Sequence, residues 1–337
     1  MQRRLSIDTL RGLACLLLVS FHVIGDTPAA GLRLADDHAL TDANDLLALL
    51  RMPLFSFLSG VVYAWRPYRG DPGGFITGKL RRLIVPLLLV GTFFALLQDL
   101  TPNTNQEITD WRMLHIQPVA HFWFLQSLFI IFMAVALLER FRLLATPRDL
   151  AMVWLMAVLL FLLDALPGHF GLSGSAYLLP FFLLGLGCSR FDAQLPRAGA
   201  AWLAGALLAA AALSMALFPG DASGARSLAA LLVGSTSCVL LLLAGAEIRW
   251  LAWVGAASFP IYLFHSMFSA ATRMALGKLG VQELALLFGA GLAAGLLLPV
   301  AAAWVLRRVP LGHWTLGESS RRVAAKAARA PASVGQP

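Results

Sequence analysis

The sequence predicts an all-α integral membrane protein, a bundle of about ten transmembrane helices with both termini cytoplasmic. Three observations carry that expectation. Of 337 residues, 59% are hydrophobic and only 13% charged, against about 25% charged in ordinary soluble domains. Apolar runs of about 17–25 residues, long enough to cross a bilayer as a helix, recur along the whole chain. Lys and Arg fall unevenly between the segments on alternate sides of those runs. Residues 1–310 then form one transmembrane domain and 311–337, ending in ESSRRVAAKAARAPASVGQP, a loose cytoplasmic tail. No room remains for a large soluble domain.

The predicted spans lie at 7–25, 45–65, 83–100, 118–138, 149–166, 174–189, 199–218, 226–245, 252–271 and 283–305. The first follows Arg3 and Arg4 and precedes Ala29 and Ala30, as in a cleavable signal peptide. Asp8 and Arg11 interrupt its apolar stretch and many spans follow, so it reads as a retained helix. The second, LLALLRMPLFSFLSG, carries Arg51 within an apolar run. The third starts out of a basic loop, and the fourth opens on HFWFLQSLF. The fifth and sixth are short and separated by PGHFGLSGS. The seventh, eighth and tenth rest on apolar length, and the ninth contains SFPIYLFHSMF. No internal repeat stands out, so an inverted-repeat transporter plan has no support from the sequence.

With the N-terminus inside, 20 of the 26 Lys and Arg residues fall on the inner side. The outer side keeps Arg33, Arg51, Arg112, Arg226, Arg273 and Lys278. That bias fits an even span count in the cell inner (plasma) membrane. The net charge of +8 then reads as topology and contact with anionic lipid, with no nucleic acid implied. Cys15, Cys188 and Cys238 all lie in apolar runs and spell neither a zinc site nor a disulfide framework.

An ionisable side chain in hydrocarbon is costly and faces a protein interior or a wet cavity. At 100° per residue, Asp8, Arg11, Cys15 and His22 fall within about 60° of one another on the first helix. Asp8 and Arg11, three apart, are spaced to pair. His22 lies about 21 Å beyond Asp8, at 1.5 Å per residue, in the outer third of the bilayer. The same count brings Arg51, His121 with Trp123, and His265 to similar depth on three other helices. A cavity opening outward accounts for all of them; the competing reading is a set of unrelated interfacial residues. On the inner face, WRPYRGDPGGFITGKLRRLIVP carries five basic residues. Lys79 and Arg82, one turn apart, form a patch suited to the phosphates of an anionic co-substrate. The plainer reading is a positive-inside stop signal.

RLSIDTLRGLACLLLVSFH resembles the first helix of acyltransferase family 3, multi-spanning membrane enzymes that decorate sugars. The matching residues are Asp8, Leu10-Arg11-Gly12 and His22. RMPLFSFLSG, KLRRLIVP, HFWFL and IYLFH resemble later signatures of that family, in the same order. RMPLF with HFWFL is most similar to the branch of glucan succinyltransferases and fucose acetylases. The resemblance implies transfer of an acyl group, acetyl or succinyl, from acyl-CoA to a hydroxyl of a cell-envelope glycan or lipid-linked sugar. It implies no resident cofactor, acyl-CoA being a co-substrate.

The residues suit that reaction. A sugar hydroxyl is a poor nucleophile at neutral pH, and a neutral imidazole in reach can take its proton. His22 is the candidate base, Arg51 the candidate donor to the developing oxyanion, and Trp123 a weaker one. Asp8 and Arg11 complete the catalytic set, His121, Trp123 and His265 would contact substrate, and Lys79, Arg81 and Arg82 would hold the donor. Ser59 and Gly60 read as a small-residue packing site. His38, His115, His169 and His313 receive no role. The runner-up is a ten-span transporter of a sugar, lipid or acyl metabolite, since buried charge also marks substrate pathways.

Overall fold

The computed structural model describes residues 5–27, 29–35, 37–101, 110–117, 119–192, 197–217 and 225–319. Among these residues the chain is helical, with no strand. The helices are α1 Leu5–Ile24, α2 Ala39–Trp65, α3 Pro72–Lys79, α4 Val85–Asp99, α5 Trp123–Arg140, α6 Pro147–Leu163, α7 Leu172–Arg190, α8 Arg197–Leu217, α9 Leu228–Ala244, α10 Arg249–Ala256, α11 Ser258–Lys278, α12 Leu284–Leu306 and α13 Gly312–Thr315. A π-helical turn, Leu80–Ile84, joins α3 to α4.

Every expected span is helical, but the expected count of ten is not reproduced. Seven helices among the described residues are long and apolar enough to cross a membrane, or eight if α9 and α10 form one broken span. The shortfall has local causes. α6 and α9 each have 17 residues, about 26 Å at 1.5 Å per residue, at the lower limit for a hydrocarbon core about 30 Å thick. α10 turns away from α9 by 119° after Gly245, which caps α9 in the left-handed region at φ 58°. The expected span 252–271 straddles Ala257, the junction at which α10 ends and α11 begins. Pro260, in the first turn of α11, is tolerated there because that N–H has no intrahelical partner.

α1 sits at the centre, packed against α2, α10, α11 and α12. Its tightest joint is with α10. A Cβ on Gly12 would collide with the backbone carbonyl of Leu251, and one on Gly255 with the backbone of Asp8. The joint between α2 and α7 follows the same rule: Gly60 meets the backbone of Phe182, and Gly185 that of Phe57. Small residues let helix backbones approach where lipid supplies no hydrophobic drive between them. Gly60 thus does the packing expected of it. Ser59 bonds back to the carbonyl of Phe55 at 2.8 Å.

α8 contrasts with α1. Trp202, Leu203, Leu213 and Leu217 of α8 are exposed, as suits a helix facing lipid. Residues 311–319, expected in the tail, fold back onto the bundle. Gly317 lies against the backbone of Arg81 and Arg82, and Glu318 accepts from Arg307 at 2.8 Å. Residues 320–337 lie outside the described residues, as do Arg3 and Arg4.

Candidate active site

Three helices bring one histidine each to a common point. His22 is two residues from the end of α1, His121 lies in the turn that starts α5, and His265 is in the first half of α11. Their ring centroids are 5.4 Å apart for His22 and His121, 4.9 Å for His22 and His265, and 4.7 Å for His121 and His265. His121 and His265 are buried, while His22 is partly exposed. The cluster therefore has one accessible side.

Hydrogen bonds fix the tautomers of two of these rings. His265 Nδ1 lies 2.9 Å from the carbonyl oxygens of Ile261 and Tyr262. A carbonyl only accepts, so Nδ1 carries the proton and Nε2 a lone pair. The Ser266 hydroxyl lies 3.2 Å from that Nε2 and 3.3 Å from His121 Nδ1. Donating to the first, it accepts from the second. His121 Nε2 is then also a lone pair, and it is buried without a partner among the described residues. Tyr262 donates to the carbonyl of His121 and so holds the turn in place. His22 makes no hydrogen bond to a described residue, and its ring is free to meet a ligand.

Arg51 lies beside this cluster, 4% exposed. Its guanidinium stacks 3.7 Å over the ring of Phe21, next in sequence to His22. One amino group donates to the Asn44 carbonyl at 2.8 Å, and Asn44 donates to the Gly25 carbonyl at 2.9 Å. This network ties α2 to the end of α1. Arg51 Nε is buried with no partner among the described residues, so one strong donor remains unused there.

The other expected residues lie elsewhere. Trp123 packs on Gly174 of α7 and on Phe124 and makes no ring contact with the histidines. Asp8 and Arg11 pair at 3.5 Å, as their spacing predicted. They sit at the joint with α10, with Arg11 about 16 Å along α1 from His22 at 1.5 Å per residue. Lys79 places its ammonium 3.1 Å from the centroid of Phe132 and 5.2 Å from that of Phe75. Phe132 is eleven residues past His121, about 16 Å along the helix axis. Arg82 points toward Phe259 at 5.9 Å, and Arg81 Nε is buried without a partner among the described residues. Beside Lys79 an open cavity of about 430 Å³ is lined by Trp65, Arg66, Tyr68, Arg69, Asp71 and Phe75. The chain thus carries two polar sites at different depths, one of imidazoles at the start of α5 and one of cations among aromatic rings about halfway along it.

Over residues 4–308 the chain matches the model of the Acyl_transf_3 acyltransferase domain. It belongs to acyltransferase family 3. No curated relative and no solved structure matches it. An acyltransferase 3 protein with several apolar helices is a multi-pass membrane enzyme that moves an acyl group from a donor to an acceptor. Membership does not favour the transporter alternative.

Sequence reading missed Ser266, Tyr262 and Asn44. Ser266 adjoins His265, and i, i+1 neighbours on a helix do not face each other. Only the ring's bend back toward its own turn makes that contact. His115, given no role, is anchored in the segment before α5: Nε2 meets the Thr92 hydroxyl at 3.0 Å and its carbonyl accepts from Gln126 at 2.6 Å. Burial lowers its pKa below 6.5. The folded state then binds this proton less readily than the unfolded state does, so stability falls as pH drops below the unfolded value of about 6.5. Thermal melts in detergent from pH 7.5 to 5.0 are expected to show falling stability, with a shallower slope in His115→Asn.

Proposed function

We propose that the protein transfers an acetyl or succinyl group from acyl-CoA, bound at the Lys79 end, to a hydroxyl of a cell-envelope glycan or lipid-linked sugar bound at the histidine end. The donor end faces the cytoplasm and both termini lie there. The observation that carries the proposal is the opposition of the two sites: lone-pair nitrogens at one end, and cations with aromatic rings about 16 Å away.

Each residue has a role in this reading. His22, partly exposed and without a hydrogen-bond partner among the described residues, takes the proton of the attacking hydroxyl. His121 and His265 line the same point with neutral lone pairs that stabilise the imidazolium. The oxygen attacks the thioester carbonyl, and Arg51, with its unused Nε–H, stabilises the oxyanion. Collapse releases the CoA thiolate, which takes the proton from His22. Lys79, Arg81, Arg82 and Arg11 bind the donor's phosphates, with Asp8 holding Arg11 at the joint. The cavity beside Trp65 and Tyr68 suits the adenine ring by stacking. The acceptor belongs to the class served by the glucan succinyltransferases and fucose acetylases that the sequence resembles.

The test of the donor end is the pair Lys79→Ala and Arg82→Ala. Losing charged contacts of about 1.5–3 kcal/mol each is expected to raise KM for acyl-CoA at least tenfold, a step of about 1.4 kcal/mol. The acceptor KM should stay within about twofold, a change under about 0.5 kcal/mol. An equal rise in both would remove the assignment.

A further inference from the structure

We infer that His22, His121 and His265 form a binding site for a divalent cation of the zinc class, distinct from any need of the acyl-transfer step. One ring nitrogen of each lies within 4.8 Å of one from each of the others. The expectation from sequence was no metal, the three cysteines spelling no zinc site. The fold assembles the set from α1, α11 and the turn before α5 instead.

Three features favour a cation. His265 donates Nδ1–H to backbone carbonyls, the outer contact that fixes the tautomer of metal-binding histidines. His121 has a buried Nε2 with no partner among the described residues. His22 is unrestrained by hydrogen bonds, so its ring can swing to shorten the spacing to the bond lengths of about 2.0–2.1 Å that zinc makes to imidazole. Three neutral imidazoles suit zinc, cobalt, nickel or copper and not magnesium or calcium, which take oxygen ligands.

Charge sets the character of the site. Arg51, buried and stacked over Phe21 next to His22, adds positive charge beside the site. A bound dication therefore carries an anionic fourth ligand, such as hydroxide or a carboxylate. Coordination uses up the lone pair that the proposed base needs, so the cation inhibits transfer. That consequence rests on the reading given under Proposed function; the binding itself does not.

Cobalt is the probe for binding, because a tetrahedral Co²⁺ site has visible absorption. The chelator-treated full-length protein in detergent is titrated with Co²⁺, and metal content is measured after desalting. The expected result is one Co²⁺ per chain with a tetrahedral spectrum, displaced by Zn²⁺ and unaffected by Mg²⁺ or Ca²⁺. His121→Ala and His265→Ala should each abolish it, and His169→Ala should retain it. If either buried variant elutes as aggregate, His22→Ala carries the test. Substoichiometric retention in the wild type overturns the proposal, and so does binding that survives loss of two of the rings. In the transfer assay, Zn²⁺ at about ten times its dissociation constant should lower the rate roughly tenfold, with recovery on chelation. Transfer without cobalt binding would sink the metal site alone. Cobalt binding without transfer from any acyl-CoA would sink the acyltransfer roles alone.

Discussion

Replacing His22 with alanine is expected to lower kcat/KM for acyl transfer by roughly 10²–10⁴, the range that one positioned general base contributes. The ring is partly exposed and has no hydrogen-bond partner among the described residues, so its loss leaves no buried group unsatisfied. The variant should therefore fold, and its melting temperature should match the wild type within a few degrees. Loss of activity with unchanged donor KM separates a proton-transfer role from a binding role. His265→Ala differs in kind. That ring is fully buried, and removing it strands the Ser266 hydroxyl and two carbonyl contacts. Both activity and stability should fall there. The comparison of the two variants measures kinetics and melting in one detergent.

The second large effect is on folding. Gly12→Val puts a branched side chain where even a Cβ meets the backbone carbonyl of Leu251. Backbone cannot yield as the end of a flexible side chain does. Overpacking of this sort costs about 1–3 kcal/mol and occasionally more. Since α1 also carries His22, separating α1 from α10 would displace the proposed base as well. Gly12→Val is expected to accumulate poorly and to aggregate in detergent. Gly205→Val on lipid-facing α8, where a Cβ meets nothing within 4 Å, should accumulate normally. Fluorescence-detected size exclusion of tagged variants compares the two.

Depth was legible in the sequence because helical rise is fixed at about 1.5 Å per residue. Counting from the ends of the apolar runs placed His22, His121 and His265 at one level, and the fold joins them. The spacing of Asp8 and Arg11 also predicted their pairing. Rotation about the helix axes was less legible, since it is set by packing between helices far apart in sequence. Hence Trp123 was grouped with the histidines but packs on α7, against the space that Gly174 leaves. The break between α10 and α11 at Ala257 was hidden because the residues around it, WVGAASF, carry no charge, and Pro260 three residues on is the only proline there. The π turn at Leu80–Ile84 also went unseen: composition marks it only as basic. It turns Lys79 inward onto Phe132 while Arg82 stays exposed.

The most direct measurement concerns the envelope itself. Alkali-labile esters on surface glycans and lipid-linked sugars are identified by mass spectrometry in cells lacking the gene, complemented with wild type or with His22→Ala at equal protein level. The expected result is one acetyl or succinyl ester, absent from the deletion strain, restored by the wild type and not by His22→Ala. An ester profile that the deletion leaves unchanged, or one that His22→Ala restores in full, would contradict an imidazole-driven acyl transfer.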